Sequence, residues 1–231
     1  MIALVFPGQG SQKVGMLSAF VNAFKSGRDV LDEIENSVSF RISKVIEEGS
    51  LEELTKTNNA QLAIFTVGMV CLGVLAKEYG FDIAKHCKYL AGHSLGEYTA
   101  LCASGVFALA DATRLVKARG DIMAQVCNNS ADFSMVALLG VPIFDIEPII
   151  REFQHGPYIC SVANDNMSSQ VVISGYRSVV NQAINTIKYK FNKLRTIPLN
   201  TSGPFHTSLM SQAAIALDEF LISSDIKYSE I

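Results

Sequence analysis

The sequence predicts an α/β protein in which a large domain built on a parallel sheet (residues 1–131) is interrupted by a smaller lobe (132–199) and resumes, incomplete, over 200–231. Three observations predict it. An all-apolar run opens the chain at Ile2 to Phe6, as expected of a parallel strand covered on both faces. The stretch AGHSLGEYTA, Ala91 to Ala100, joins an apolar strand to a tight turn and the start of a helix. Between Ser134 and Leu199 the pattern changes to β-α-β-β-α-β.

Composition sets the bounds. The 231 residues are 49% hydrophobic and 18% charged, ample material for a large core. A formal charge of -3, with Lys and Arg scattered, gives no electrostatic footprint for nucleic acid. The five cysteines, Cys71, Cys87, Cys102, Cys127 and Cys160, show no C-x-x-C spacing and are odd in number, which argues for buried reduced thiols over a disulfide framework or a zinc site. No signal peptide precedes the first strand, so the expected compartment is the cytoplasm.

Taken in order, the first strand runs into Pro7-Gly8-Gln9-Gly10-Ser11-Gln12. A dinucleotide fingerprint fails here, because Lys13 stands where its third glycine belongs and Pro7 interrupts its start. Two readings stay open: a plain turn, or backbone brought close to a reacting centre with the Gln9 amide as an oxyanion donor. From Val14 to Lys56 charged and apolar residues mix as in amphipathic helices and loops. The apolar run Leu62 to Ala76, interrupted by Thr66, Gly68 and Gly73, is short for a bilayer span and reads as a buried helix. Gln61 opens it, where a lone polar residue is expected to be a cap or a solvated end.

Within AGHSLGEYTA, Gly92, Ser94 and Gly96 fit G-x-S-x-G, the nucleophile elbow of α/β-hydrolase-like domains. Glycine at the flanks lets backbone pass close to backbone and leaves the serine hydroxyl exposed, while the N–H of Leu95 points where an oxyanion would form. The segment Leu109 to Val126 has helical periodicity, with Ala112, Leu115, Val116, Ile122 and Met123 on one stripe and Asp111, Arg114, Lys117 and Asp121 off its centre. Arg119 falls in the middle of that stripe. A charge directed into a core needs an anion, either a structural carboxylate or a carboxylate substrate held by a bidentate fork, and position leaves both open.

The β-α-β-β-α-β order comprises MVALLGV, a helix around Ile146 to Phe153, YICSVAN, QVVISG, a helix from Val179 to Tyr189, and KLRTIPL. That is the ferredoxin-like split arrangement. Lys188, Lys190, Lys193 and Arg195 form a modest basic cluster at its end, a solvated face or a site for a phosphate or an acidic partner. His206 then precedes a helical run from about Ser208 to Leu221, whose N-terminus is expected to keep the imidazole neutral and able to act as a base.

Together FPGQGSQ, GHSLGEY, the Arg119-Gly120 helix, the split lobe and GPFHTSLM resemble the malonyl-CoA:acyl carrier protein transacylase family along essentially the whole chain. The resemblance implies malonyl transfer from coenzyme A to the phosphopantetheine thiol of acyl carrier protein in fatty-acid biosynthesis, by way of a malonyl-serine. It implies Ser94 as nucleophile and His206 as its base, the amides of Gln9 and Leu95 as oxyanion donors, and Arg119 on the malonyl carboxylate. Gln61 and Asn166 would border the acyl pocket, with Gln170 and Arg195 along the pantetheine or phosphate path. It implies no metal, no redox cofactor, no nucleic acid, no membrane, and a monomer. Family members continue into an N-P-V-x-W stretch and a G-P-G turn that these residues lack, so the expectation is a weakened enzyme whose histidine misses its orienting carbonyl. Two other readings remain: an α/β-hydrolase esterase, which should carry an acidic residue between serine and histidine and has no use for a core arginine, and a non-catalytic remnant that binds carrier protein or coenzyme A.

Overall fold

The computed structural model describes residues 2–127, 132–156, 158–201 and 203–223. The chain is of mixed α/β type and forms two compact units, Met1–Asp121 with Leu217–Ile231, and Ile122–Ala216. These boundaries differ from the expected 131/132 and 199/200. The last two turns of the Arg119 helix and the His206 loop pack with the second sheet: Ile122, Met123, Val126, Cys127, Phe205, Met210 and Ala213 share a cluster with Met135, Ala137 and Val172.

In the first unit, strand β1 (Ile2–Phe6) is followed by the short helices α1 (Ser18–Ala23), α2 (Lys25–Val38), α3 (Ile42–Glu47) and α4 (Leu51–Thr55). Then come α5 (Thr57–Tyr79), α6 (Ile83–His86), β2 (Cys87–Gly92), α7 (Gly96–Ala103) and α8 (Leu109–Cys127). Ser50 caps α4 by accepting from the Glu53 N–H. Gly80, at φ 64°, ends α5 in the left-handed conformation that glycine adopts without a Cβ penalty.

α5 is the axis of this core. Leu62, Ala63, Ile64, Phe65 and Val70 pack with Leu17, Leu31, Ile34, Leu54, Leu95, Leu115 and Val116. It is the one helix among the described residues long and apolar enough to cross a membrane, but it is largely buried inside the protein. The helix starts at Thr57, four residues before the polar residue taken to open it, so Gln61 is neither cap nor solvated end and is 0% exposed.

β1 and β2 pair in parallel, with Phe6 opposite Gly92, and this register sets the Gly8–Gln9 loop beside the serine turn. The expectation that the first strand is covered on both faces fails. Val5 and Tyr89 are 71% and 63% exposed on the face opposite Phe6, and Ile2, at the strand's first position, is 47% exposed; the sheet has only these two strands among the described residues.

The second unit contains β3 (Phe133–Leu139), α9 (Ile143–Arg151), β4 (Cys160–Met167), β5 (Gln170–Tyr176), α10 (Arg177–Lys190) and β6 (Arg195–Pro198). The chain then runs through a 3-10 turn, Ser208–Met210, into α11 (Ser211–Ser223). The strand order is β4-β5-β3-β6, antiparallel at every step. Alternation along the strands divides the two faces. Val136, Leu138, Val171 and Ile173 pack on Ile146, Ile149 and Ile150 of α9 and on Val180, Ile184 and Ile187 of α10, while Met135, Ala137 and Val172 meet Phe205, Met210 and Ala213 on the other face.

Candidate active site

The serine turn is built by close backbone approach. A Cβ placed on Gly92 would lie 1.9 Å from the Gly96 carbonyl carbon, and one on Gly96 would lie 2.1 Å from the Phe6 carbonyl oxygen. No side chain fits at either position. The Gly8 loop closes in from the other side, since a Cβ there would stand 2.6 Å from the His93 carbonyl oxygen, and the His93 N–H donates to Phe6 O at 3.0 Å. The Gly8 loop is thus backbone packed against the serine turn.

Ser94 takes a left-handed conformation, φ 51°. For a non-glycine residue this costs of order 1–3 kcal/mol and persists only where the surroundings impose it. The turn is closed by Gly96, Glu97 and Tyr98 N–H groups donating to the carbonyls of His93, Ser94 and Leu95, and the Leu95 N–H is not used in closing it. The Gln9 side chain donates from Nε2 to Thr57 Oγ1 at 3.3 Å, which ties its loop to the start of α5.

Arg119 arrives from α8. Gly120 lets that helix approach α5 so closely that a Cβ there would stand 3.0 Å from Asn58 Cα. The guanidinium Nη1 then donates to Gln61 Oε1, and Nη2 lies 3.4 Å from Ser94 Oγ. Tyr98, one turn into α7, sets its ring against the same cation, 5.2 Å from centroid to guanidinium carbon. Burial pushes the Arg119 guanidinium down from its ordinary value, opposed by Tyr98 and Glu97. Among the described residues Arg119 makes no ion pair with a carboxylate. Asp111, expected off the apolar stripe, is instead buried and bonded to Arg114, so the helix's own nearby acid is already engaged.

In the second unit His206 is also left-handed, φ 59°. Among the described non-glycine residues only Ser39, a helix C-cap, shares such a φ with Ser94 and His206. Thr207 brackets the histidine: its hydroxyl donates to Pro204 O at 2.7 Å and accepts from the Leu209 N–H at 3.3 Å. Gly203 runs against Cys127, where a Cβ would fall 2.0 Å from Sγ. Burial raises that thiol to about 11. The helical run expected from about Ser208 to Leu221 is present, as a 3-10 turn, Ser208–Met210, that continues into α11, Ser211–Ser223.

Gln170 and Arg195 meet the same residue of β3, because Leu139 pairs with both, so they share one row of the sheet about 10 Å apart across two strand spacings. Asn166 stands near that row, beside Met167, the partner of Gln170. The structure thus gathers Ser94, Leu95, Arg119 and Gln61 in the first unit, with Gln9 on the adjoining loop, and Gln170, Arg195 and Asn166 at one sheet end in the second. Tyr98 and Thr207 were missed. Their signals were an aromatic in the first turn of the helix that follows the serine turn and the hydroxyl following His206.

Comparison with known proteins identifies the family. The acyl transferase domain model matches residues 3–225. The malonyl CoA-acyl carrier protein transacylase of Bacillus subtilis (strain 168) is 36% identical over 230 residues, 100% of this chain and 70% of that protein. Among solved structures, the acyl-carrier-protein-S-malonyltransferase of Bartonella henselae superposes with a TM-score of 0.89 at 38% identity, over 99% of this chain and 71% of its own. A malonyl-transacylase solved in complex with its type II PKS acyl-carrier protein gives a TM-score of 0.88 at 34% identity, over 98% of this chain and 71% of its own.

Proposed function

Because this chain belongs to the acyl transferase family, alongside the malonyl CoA-acyl carrier protein transacylases, we propose that it moves a malonyl group from coenzyme A to the phosphopantetheine thiol of acyl carrier protein, for fatty-acid synthesis. Ser94 Oγ attacks the thioester carbon and its proton passes to His206. The carbonyl oxygen becomes an oxyanion that the N–H groups of Leu95 and Gln9 receive. Collapse breaks the C–S bond, and the coenzyme A thiolate leaves with the proton from His206. The carrier thiol then attacks malonyl-Ser94 by the same steps in reverse order, restoring the serine hydroxyl.

The observation that carries this reading is Arg119. It is a cation beside Ser94 Oγ with no carboxylate paired to it among the described residues, and malonyl, unlike acetyl, brings a free carboxylate. The left-handed backbone at Ser94 and that at His206, each within its own unit, support a functional role for each residue. An esterase has no use for such an arginine. Gln61 orients Arg119 from the acyl-pocket side, and the row holding Gln170 and Arg195, with Asn166 beside it, suits the pantetheine and phosphate path. The strand order β4-β5-β3-β6 supports the ferredoxin-like reading of the small lobe, and the strand-turn-helix at Ser94 supports the hydrolase-like reading of the large one. The chemistry calls for no metal or redox cofactor and fits a cytoplasmic monomer that meets acidic carrier protein through its basic cluster.

The test is intact-mass analysis after mixing the chain with malonyl-CoA. One malonyl group should be gained on Ser94, none on the Ser94→Ala protein, and the label should pass to added holo carrier protein. A malonyl adduct retained by Ser94→Ala overturns the assignment.

A further inference from the structure

We infer that Tyr98 is a specificity-determining positioning residue, whose ring face holds the Arg119 guanidinium in register with Ser94. The inference rests on the reading of Ser94 as the acceptor of a malonyl group. It starts from a physical problem in the site. A half-buried cation needs a partner, and the usual partner, a carboxylate, would occupy the fork that the substrate's carboxylate must use. The site solves this with neutral groups.

Gln61 Oε1 takes one donor of Nη1, and Nη2 points toward Ser94 Oγ. The remaining support is the Tyr98 ring, 5.2 Å from the guanidinium carbon and inside the range where the quadrupole of an aromatic face attracts a cation. Such a contact stabilises the charge without placing a carboxylate on the fork. The ring is itself fixed, since Tyr98 packs against the core cluster that contains Phe65, Leu95 and Leu115. Its place follows from the chain: Tyr98 stands in the first turn of α7, which begins at Gly96 two residues after Ser94, so the serine turn and the ring are set by one short segment. One short segment therefore carries the nucleophile and also sets the arginine that selects its acyl group.

Two variants separate the ring face from mere bulk. Tyr98→Leu keeps apolar contact with the core and removes the π face, while Tyr98→Phe keeps the face and removes only the hydroxyl. The readouts are the malonyl-to-acetyl ratio of kcat/KM for acylation and the Nε–Hε resonance of Arg119 in 15N-arginine-labelled protein, assigned by its loss in Arg119→Lys. Tyr98→Leu should lower the ratio by about 3- to 30-fold and shift the Arg119 resonance by removing the ring current. Tyr98→Phe should retain both within about twofold of the wild-type ratio. A Tyr98→Leu protein with an unmoved resonance overturns the inference, as does an unchanged ratio. A wild-type chain that takes up no malonyl group refutes the proposed function instead, and the Arg119 resonance still decides the role of Tyr98.

Discussion

Replacing Arg119 by Gln keeps a long polar side chain and removes the charge, so it isolates what the guanidinium contributes to malonyl transfer. The geometry bounds the effect. With Nη2 3.4 Å from Ser94 Oγ, a malonyl carboxylate two carbons from the bond-forming centre falls within direct hydrogen-bonding reach of the fork. Full Coulomb attraction at 4 Å and an effective dielectric of 20 is about 4 kcal/mol. Partial exposure of the arginine and the water displaced by both ions reduce this to about 2–3 kcal/mol, typical of a charge-assisted hydrogen bond. Arg119→Gln should therefore lose roughly 30- to 150-fold in kcat/KM for malonyl-CoA and less than about threefold for acetyl-CoA. Single-turnover acylation of Ser94, followed by mass spectrometry with each thioester in turn, measures both. Equal losses for the two thioesters would show that Arg119 acts on the serine or on the fold, not on the carboxylate.

Other perturbations test the frame around the site. Ser94→Gly should abolish acylation and yet melt no lower than wild type, because glycine adopts φ 51° without the penalty serine carries there. Gly203→Ala should destabilise the second unit by about 1–3 kcal/mol through its clash with Cys127 Sγ, and adding Cys127→Ala should recover at least half of that loss in denaturant unfolding. The buried thiols predict a pH dependence. Cys102 and Cys160 rise from 9.0 to about 12 and Cys127 to about 11, so above pH 9 the unfolded chain releases protons that the folded chain keeps. Stability should then fall by up to about 1.4 kcal/mol per pH unit per thiol as pH rises from 9 toward 12, and Cys160→Ala should flatten the decline in melting temperature. A profile unaffected by removing the thiol would exclude that origin.

The parts of this protein legible in its sequence are those whose geometry is local. Gly92 and Gly96 announce the serine turn because no other residue survives the backbone crossing measured there. Arg119 stands out because charge in an apolar stripe always demands a partner, and the small sheet reads correctly from alternating strands and helices. What escaped depends on neighbours distant in sequence. Gln61 looked like a helix end because nothing in its surroundings predicts that Gly120 brings α8 against Asn58 and delivers an arginine to it. The apolar stripe of α8 looked like one face serving one core, yet Leu115 and Val116 pack in one unit and Ile122 and Met123 in the other. Exposure of β1 was invisible because a strand's coverage belongs to the layers beside it. The opening of the last helical run as 3-10 and not α was likewise invisible, a difference of register too small for periodicity to resolve.

The exposed β1–β2 pair has a colloidal consequence. Val5 and Tyr89, set on one face by the Ala3–Tyr89 and Val5–Ala91 pairing, form an apolar outward patch on two strands whose far edges pair with no third strand among the described residues. Such an edge is a template for pairing with another chain. Two molecules in solution should therefore attract at short range more strongly than a net charge of -3 repels them, giving a negative osmotic second virial coefficient. Because apolar attraction strengthens on warming from the cold, light scattering at fixed concentration should grow between 4 and 30 °C, well before any thermal unfolding.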